Sequence, residues 1–250
     1  MNRVIPVLLL RGNGLVKTIK FKNPKYIGDP INAIRIFNDK EVDELMVLDI
    51  TASKDRREPN YELIEQFAGE CFMPLAYGGG VRTVAQAKRL FSSGVEKICL
   101  QSAVIENPRV IRDLADCFGS QSIMVSIDLK TTLMGKLQVY SSAQGKVIYG
   151  NWQDHLKCIV ELGAGEVLLN SVDKDGTLSG PDLNMIHQAS QRTNIPIIAV
   201  GGISSLNDIK AAVEAGASAV AAGAFFVYHG PHRAVLITYP QYHELEQLFT

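Results

Sequence analysis

The chain has 250 residues, 46% of them hydrophobic, enough to bury one sizeable core in one domain. Its 25 Lys and Arg nearly cancel its 26 Asp and Glu, so no broad basic field exists to hold a nucleic-acid backbone or an acidic lipid surface. The longest apolar runs, such as Val4 to Leu10, are strand-length, far short of the ~20 residues a membrane-spanning helix needs.

The opening Met1-Asn2-Arg3-Val4-Ile5-Pro6 carries one basic residue and a short apolar run that ends at Arg11. It lacks the small-residue cleavage pattern of a secretory signal, so the cytoplasm is the expected location. Runs of β-branched and aliphatic residues then recur along the chain with amphipathic stretches between them, the pattern of parallel strands joined by helical crossovers. They predict eight strands: Val4 to Leu10, Leu45 to Ile50, Pro74 to Gly78, Lys97 to Gln101, Ser122 to Asp128, Glu166 to Ser171, Pro196 to Gly201 and Ala219 to Gly223. Most are apolar on both faces, as a closed parallel sheet wrapped in helices requires. Gly28-Asp29-Pro30 ahead of Ile31 predicts a helix start, with Asp29 as the cap and Pro30 in the first helical position. Cys71, Cys99, Cys117 and Cys158 form no C-x-x-C pair, which argues against a zinc knuckle or a disulfide framework. They are read as reduced, mostly buried thiols.

The second half repeats the first at a constant offset of 122 residues. Glu44 pairs with Glu166, Asp49 with Ser171, Pro74 with Pro196, Gly79-Gly80 with Gly201-Gly202, Gly94 with Gly216, and Gln101-Ser102 with Gly223-Ala224. The first strands pair less tidily, Leu9 falling opposite Asp128 at an offset of 119. Eight strands with an internal repeat predict an α/β fold, a (β/α)8 barrel over residues 1–250 made of half-barrels of about 1–120 and 121–250.

Active sites of such barrels lie at the carboxyl ends of the strands. Gly78-Gly79-Gly80 ends the third predicted strand and Gly201-Gly202 the seventh, with Gln101-Ser102 and Gly223-Ala224 beside them. Glycine there lets backbone amides approach an anion closely, so the repeat predicts two phosphate sites across one mouth and a ligand phosphorylated at both ends. The plainer alternative is that these glycines only end strands. Asp49, Asp128, Asp173 and Asp175 crowd the same rim, with Lys17 and Lys130 in the adjoining loops. Asp128 ends the apolar run from Ile123, where burial raises a carboxyl pKa toward a value useful for acid/base work. Its alternative role is structural, accepting hydrogen bonds from loop amides.

Leu48-Asp49-Ile50-Thr51-Ala52-Ser53, Tyr77-Gly78-Gly79-Gly80-Val81, Phe118-Gly119-Ser120-Gln121, Gly163-Ala164-Gly165-Glu166 and Asp173-Lys174-Asp175-Gly176-Thr177 closely resemble the cyclase subunit family of imidazole glycerol phosphate synthase, over almost the whole chain. The resemblance implies a barrel that binds a glutaminase subunit and receives ammonia through its interior. With that ammonia it converts a bis-phosphorylated ribulosyl nucleotide into imidazole glycerol phosphate and an aminoimidazole carboxamide ribotide. It places Gly80, Gln101 and Ser102 at one phosphate site and Asp175, Gly176, Gly202 and Ala224 at the other, and matches Lys17 to the lysine of a mobile first loop. Arg3, Glu44, Lys97 and Glu166, each just before a strand, match the charged ring at the ammonia entrance; a purely structural ion-pair ring is the alternative.

Departures from the family narrow the reading. Of its two catalytic aspartates, Asp128 matches the second, while the first position reads Leu9, which cannot transfer a proton. Gln101 stands where the family has asparagine. The ending from His229 to Pro240 resembles a paralogous branch associated with amidination of bacterial surface sugars, in which a third, sugar-modifying enzyme takes the nitrogen. His229 and His232 are read as surface-loop residues, since no third metal ligand is evident nearby. The leading expectation is an ammonia-receiving subunit of that branch, with a glutaminase partner, a phosphorylated ligand, and no cofactor or metal. The alternatives are an ordinary cyclase using Asp128 and Lys17, and a non-catalytic conduit that activates a glutaminase.

Overall fold

The computed structural model describes residues 2–148 and 150–249. Eight parallel strands close on themselves: Arg3–Arg11, Leu45–Asp49, Leu75–Gly78, Lys97–Leu100, Ile123–Thr131, Glu166–Ser171, Ile197–Val200 and Ala219–Ala222. Each pairs with its neighbour in the chain, and the first pairs with the last through Arg3 opposite Ala219 and Pro6 opposite Ala222. All eight predicted strands are present, Glu166–Ser171 with both ends as predicted and no end of the others shifted by more than three residues. The fold is a (β/α)8 barrel, as the alternation of elements predicts.

Period-two patterning sorts the strand side chains into two cores. One set points inward, with Ile5, Val7, Met46, Met124, Leu168 and Ile198 among its members. The other set packs outward against the helices, where Ile34, Phe37, Ile64, Phe67, Leu114 and Leu156 are fully or almost fully buried. Burying each such side chain contributes about 1.5–3 kcal/mol, which sheets apolar on one face alone cannot match. The helix Pro30–Asp39 begins as the sequence predicts, with Asp29 Oδ1 accepting from the Asn32 amide at 2.9 Å. Thr83 and Gln86 form a reciprocal capping box at the start of Val84–Ser92.

Two hairpins at the carboxyl end were not foreseen. Gly14–Ile19 and Lys22–Gly28 extend the first strand, Gly14–Ile19 pairing antiparallel with it from Leu9 to Arg11. Leu137–Ser141 and Lys146–Val147 extend the fifth. Lys17 therefore stands on a strand, with a buried side chain, rather than in a loop. Lys130 likewise belongs to the fifth barrel strand. All four cysteines are free, as expected, but burial holds for one thiol alone: Cys99 is buried, Cys71 and Cys158 are half-buried and Cys117 is exposed. No helix among the described residues is long and apolar enough to cross a membrane.

Candidate functional site

Strand direction separates the candidate residues into two groups at opposite ends of the barrel. At the carboxyl end lies a cavity of about 530 Å³. Every residue read as a phosphate ligand lines it except Gly80, and Leu9, Lys17 and Asp128 line it too. Gly80 sits behind the wall, donating its N–H to Ser53 Oγ at 3.2 Å, and a Cβ there would meet the Arg57 carbonyl oxygen at 2.8 Å. Gly79, with φ +120°, passes so close to the second strand that a Cβ would meet the Asp49 carbonyl at 2.5 Å. Gly202, the repeat partner of Gly80, has φ +91° and packs on the Gly180 carbonyl. Side chains are excluded at both turns by sterics as well as by φ.

Asp128 projects inward from the fifth strand and is 5% exposed. Its Oδ1 accepts from Ser126 Oγ at 3.0 Å and from Asn170 Nδ2 at 3.2 Å. Burial pushes this carboxyl up to about 7, against the pull of those two hydrogen bonds. Asn170 stands directly opposite Asp128 in the register of the fifth and sixth strands, and its Oδ1 is buried without a partner. Sequence reasoning missed Asn170, although a polar residue closing the run Val167-Leu168-Leu169 was a signal.

Lys17 reaches into the mouth from the first hairpin. Its Nζ donates to the Val7 carbonyl at 2.5 Å and lies against Gly223, where a Cβ would collide with it. Strand pairing with the eighth strand stops at Pro6 opposite Ala222, so the ammonium takes up a carbonyl at the open seam. Burial pulls the Lys17 amine down to about 8, with Asp175 acting the other way. Asp175 accepts from Thr18 Oγ1 at 2.9 Å and from the Phe21 amide at 3.3 Å, and burial raises its pKa. Leu9 is half-buried on the same inward stripe as Ile5 and Val7.

Gln101 is committed to its neighbours at both ends of its amide. Nε2 donates to the Tyr140 carbonyl at 2.9 Å, while Oε1 accepts from Ser102 Oγ at 2.9 Å and from Ser142 Oγ at 3.1 Å. The Tyr140 ring meets Phe21 edge-on, with centroids 6.0 Å apart, so the two hairpins touch across the mouth. Asp49 lies on the cavity rim, as the sequence places it, and accepts there from the Thr51 and Ala52 amides, a structural role. His229 and His232 are both exposed, away from the cavity lining.

At the amino end four charges close a ring. Arg3 donates to Glu44 at 2.5 Å and to Glu166 at 2.7 Å, and Lys97 lies 3.0 Å from Glu44 and 3.1 Å from Glu166. Each cation bridges both anions, so charge alternates around the circle and neighbours compensate the burial of Glu44, which is 2% exposed. Above the ring the inward side chains from Ile5 to Ile198 fill the interior with apolar atoms up to the mouth. Beside the ring, the loop before the third strand leaves Phe72 88% exposed, over a cleft of about 330 Å³ formed with Asn38, Val42 and Pro74.

The sequence profile of a family described as histidine biosynthesis protein matches residues 3–232. A Leptospira borgpetersenii protein provisionally named imidazole glycerol phosphate synthase subunit HisF is 51% identical, covering 99% of this chain and 98% of its own length. A Pseudomonas aeruginosa protein provisionally named imidazole glycerol phosphate synthase subunit hisF2 is 49% identical, covering 98% of each chain. The Alkaliphilus metalliredigens imidazole glycerol phosphate synthase subunit HisF, named without that reservation, is 38% identical over 91% of this chain and 90% of its own.

Proposed function

The chain belongs to the histidine biosynthesis protein family, as a relative of the cyclase subunit of imidazole glycerol phosphate synthase, and from that premise we propose that it is the ammonia-receiving barrel of a glutamine amidotransferase complex. In this reading it docks a glutaminase on its amino end, takes a phosphorylated ligand in its mouth, and serves the paralogous branch that amidinates bacterial surface sugars through a third enzyme. The observation that carries the proposal is the closed ring of Arg3, Glu44, Lys97 and Glu166 at the far end of the barrel from the cavity. Neutral ammonia enters an apolar interior, whereas ammonium is held back by the desolvation of its charge, so the ring and the packed layer together select the uncharged species. Phe72 and its cleft supply an apolar anchor for the glutaminase beside that entrance.

Two facts support the paralogous branch. Leucine stands at position 9, on the cavity wall, where a carboxylate would serve the ordinary cyclisation. The relatives with provisional names, among them one numbered hisF2 and one hisF3, are 48–51% identical, against 36–38% for those named without reservation. The test is cyclase turnover of the bis-phosphorylated ribulosyl nucleotide at saturating ammonium. One missing acid/base group lowers the rate at least ~10²-fold; turnover at the level of an ordinary cyclase sinks the paralogue reading. The second reading, an ordinary cyclase, draws on Lys17, whose buried amine near pKa 8 shares the mouth with a carboxyl near 7, a pair suited to moving protons at neutral pH.

A further inference from the structure

The two glycine cradles repeat in sequence but differ in the folded chain. Resting on the reading of the mouth as a phosphate-binding site, we propose that it takes a ligand with a single anionic group. That group is held on the side of Lys17, Gly202 and Gly223, and an uncharged polar end of the ligand lies against Gln101.

A buried anion needs a cation or unpaired backbone N–H groups beside it. Lys17 is the one buried cation among the described residues, and it has no carboxylate within 4.0 Å. Its ammonium donates to the Val7 carbonyl, and Asp175 is held by Thr18 and Phe21. The ammonium keeps two donors for a ligand and lies against Gly223 on the cavity wall. A phosphate placed there restores the counter-charge that the fold withholds.

The first-half cradle has no such group. Gly80 stands outside the cavity with its N–H on Ser53, and the Ser102 hydroxyl donates to Gln101. Gln101 is latched in turn to Tyr140 and Ser142 of the second hairpin. Arg11 and Lys54 reach the cavity rim but are exposed, so they attract anions without compensating burial. A Gln at 101 spans to the hairpin carbonyl, which a side chain one methylene shorter does not reach without moving.

The test is calorimetric titration of the full chain with inorganic phosphate, ribose 5-phosphate and ribulose 1,5-bisphosphate. The expected result is one phosphate per chain, and a preference for the bisphosphate over the monophosphate below about fivefold. Lys17→Met weakens all three by about tenfold or more, the loss of one charge-assisted hydrogen bond. Gln101→Asn, by releasing the latch, raises the bisphosphate preference by about tenfold. Two phosphates per chain, a wild-type preference above about fivefold, or an unchanged preference in Gln101→Asn overturns the inference. The stoichiometry is measured on the wild type, so it stands even where a variant misfolds. A failure confined to stoichiometry or preference leaves the phosphate reading of the mouth in place, whereas no binding of any probe removes that reading as well.

Discussion

Asp128→Asn gives a stability change whose size and pH window follow from the burial of one carboxyl. The group titrates near 7 in the folded chain against 3.8 for the free side chain. At 1.36 kcal/mol per unit, keeping it ionised in the fold costs about 4 kcal/mol. A raised folded pKa contributes stability that is complete below the unfolded pKa and lost as pH rises through the folded one. The wild type therefore pays almost nothing near pH 3, less than half of that amount at pH 5, and the whole amount at pH 8. Asparagine keeps an oxygen to accept from Ser126 and Asn170 and carries no charge. The variant should gain on the order of 2 kcal/mol or more on the wild type between pH 5 and pH 8, read as the difference in urea midpoints at constant slope. A gain equal at the two pH values refutes the buried, ionisable state of Asp128.

Glu44→Gln leaves Arg3 and Lys97 with Glu166 alone, so it should cost about 3 kcal/mol in urea unfolding and raise the glutamine hydrolysed per product formed in the assembled complex; unchanged coupling reduces the ring to a structural feature. Leu9→Asp should recover part of the ammonium-driven cyclisation, incompletely because its inward neighbours Val7 and Leu48 supply no donors; no gain at all removes Leu9 as the cause of the expected low turnover. Gly202→Ala, at φ +91° against the Gly180 carbonyl, should destabilise the chain by about 2 kcal/mol or more, whereas a neutral melt shift contradicts the tight turn. Lys17→Met removes an amine whose pKa falls to about 8 from 10.5. The depressed pKa means a penalty present below pH 8 and relieved toward 10.5, so the variant's relative stability should fall as pH rises across that window.

Much of the fold was legible because each strand is a short aliphatic run and each helix has punctuation, as at Asp29-Pro30. The ring was legible through the family resemblance, which matches Arg3, Glu44, Lys97 and Glu166 to a charged ring, and the fold brings all four to one circle. The hairpins escaped notice because Leu137 to Ser141, with Gln138 and Ser141 in it, lacks the continuous aliphatic run of a barrel strand, and its pairing depends on a neighbour already in place. Positions that match in sequence diverged where side chains decide the outcome. Gly80 and Gly202 both turn with positive φ, yet one backs onto Arg57 and the other lines the cavity. No pattern along the chain reveals that Lys17 folds inward to Val7, since that contact is set by where the eighth strand stops.

Titration of the isotope-labelled chain with the glutaminase proposed as its partner, followed by amide NMR, tests the central claim most directly. Ammonia reception at the amino end predicts saturable one-to-one binding, with the largest shifts around Phe72, Glu44, Lys97 and Glu166 and the Gln101–Tyr140 region little changed. Absence of binding, or shifts concentrated at the mouth, contradicts it.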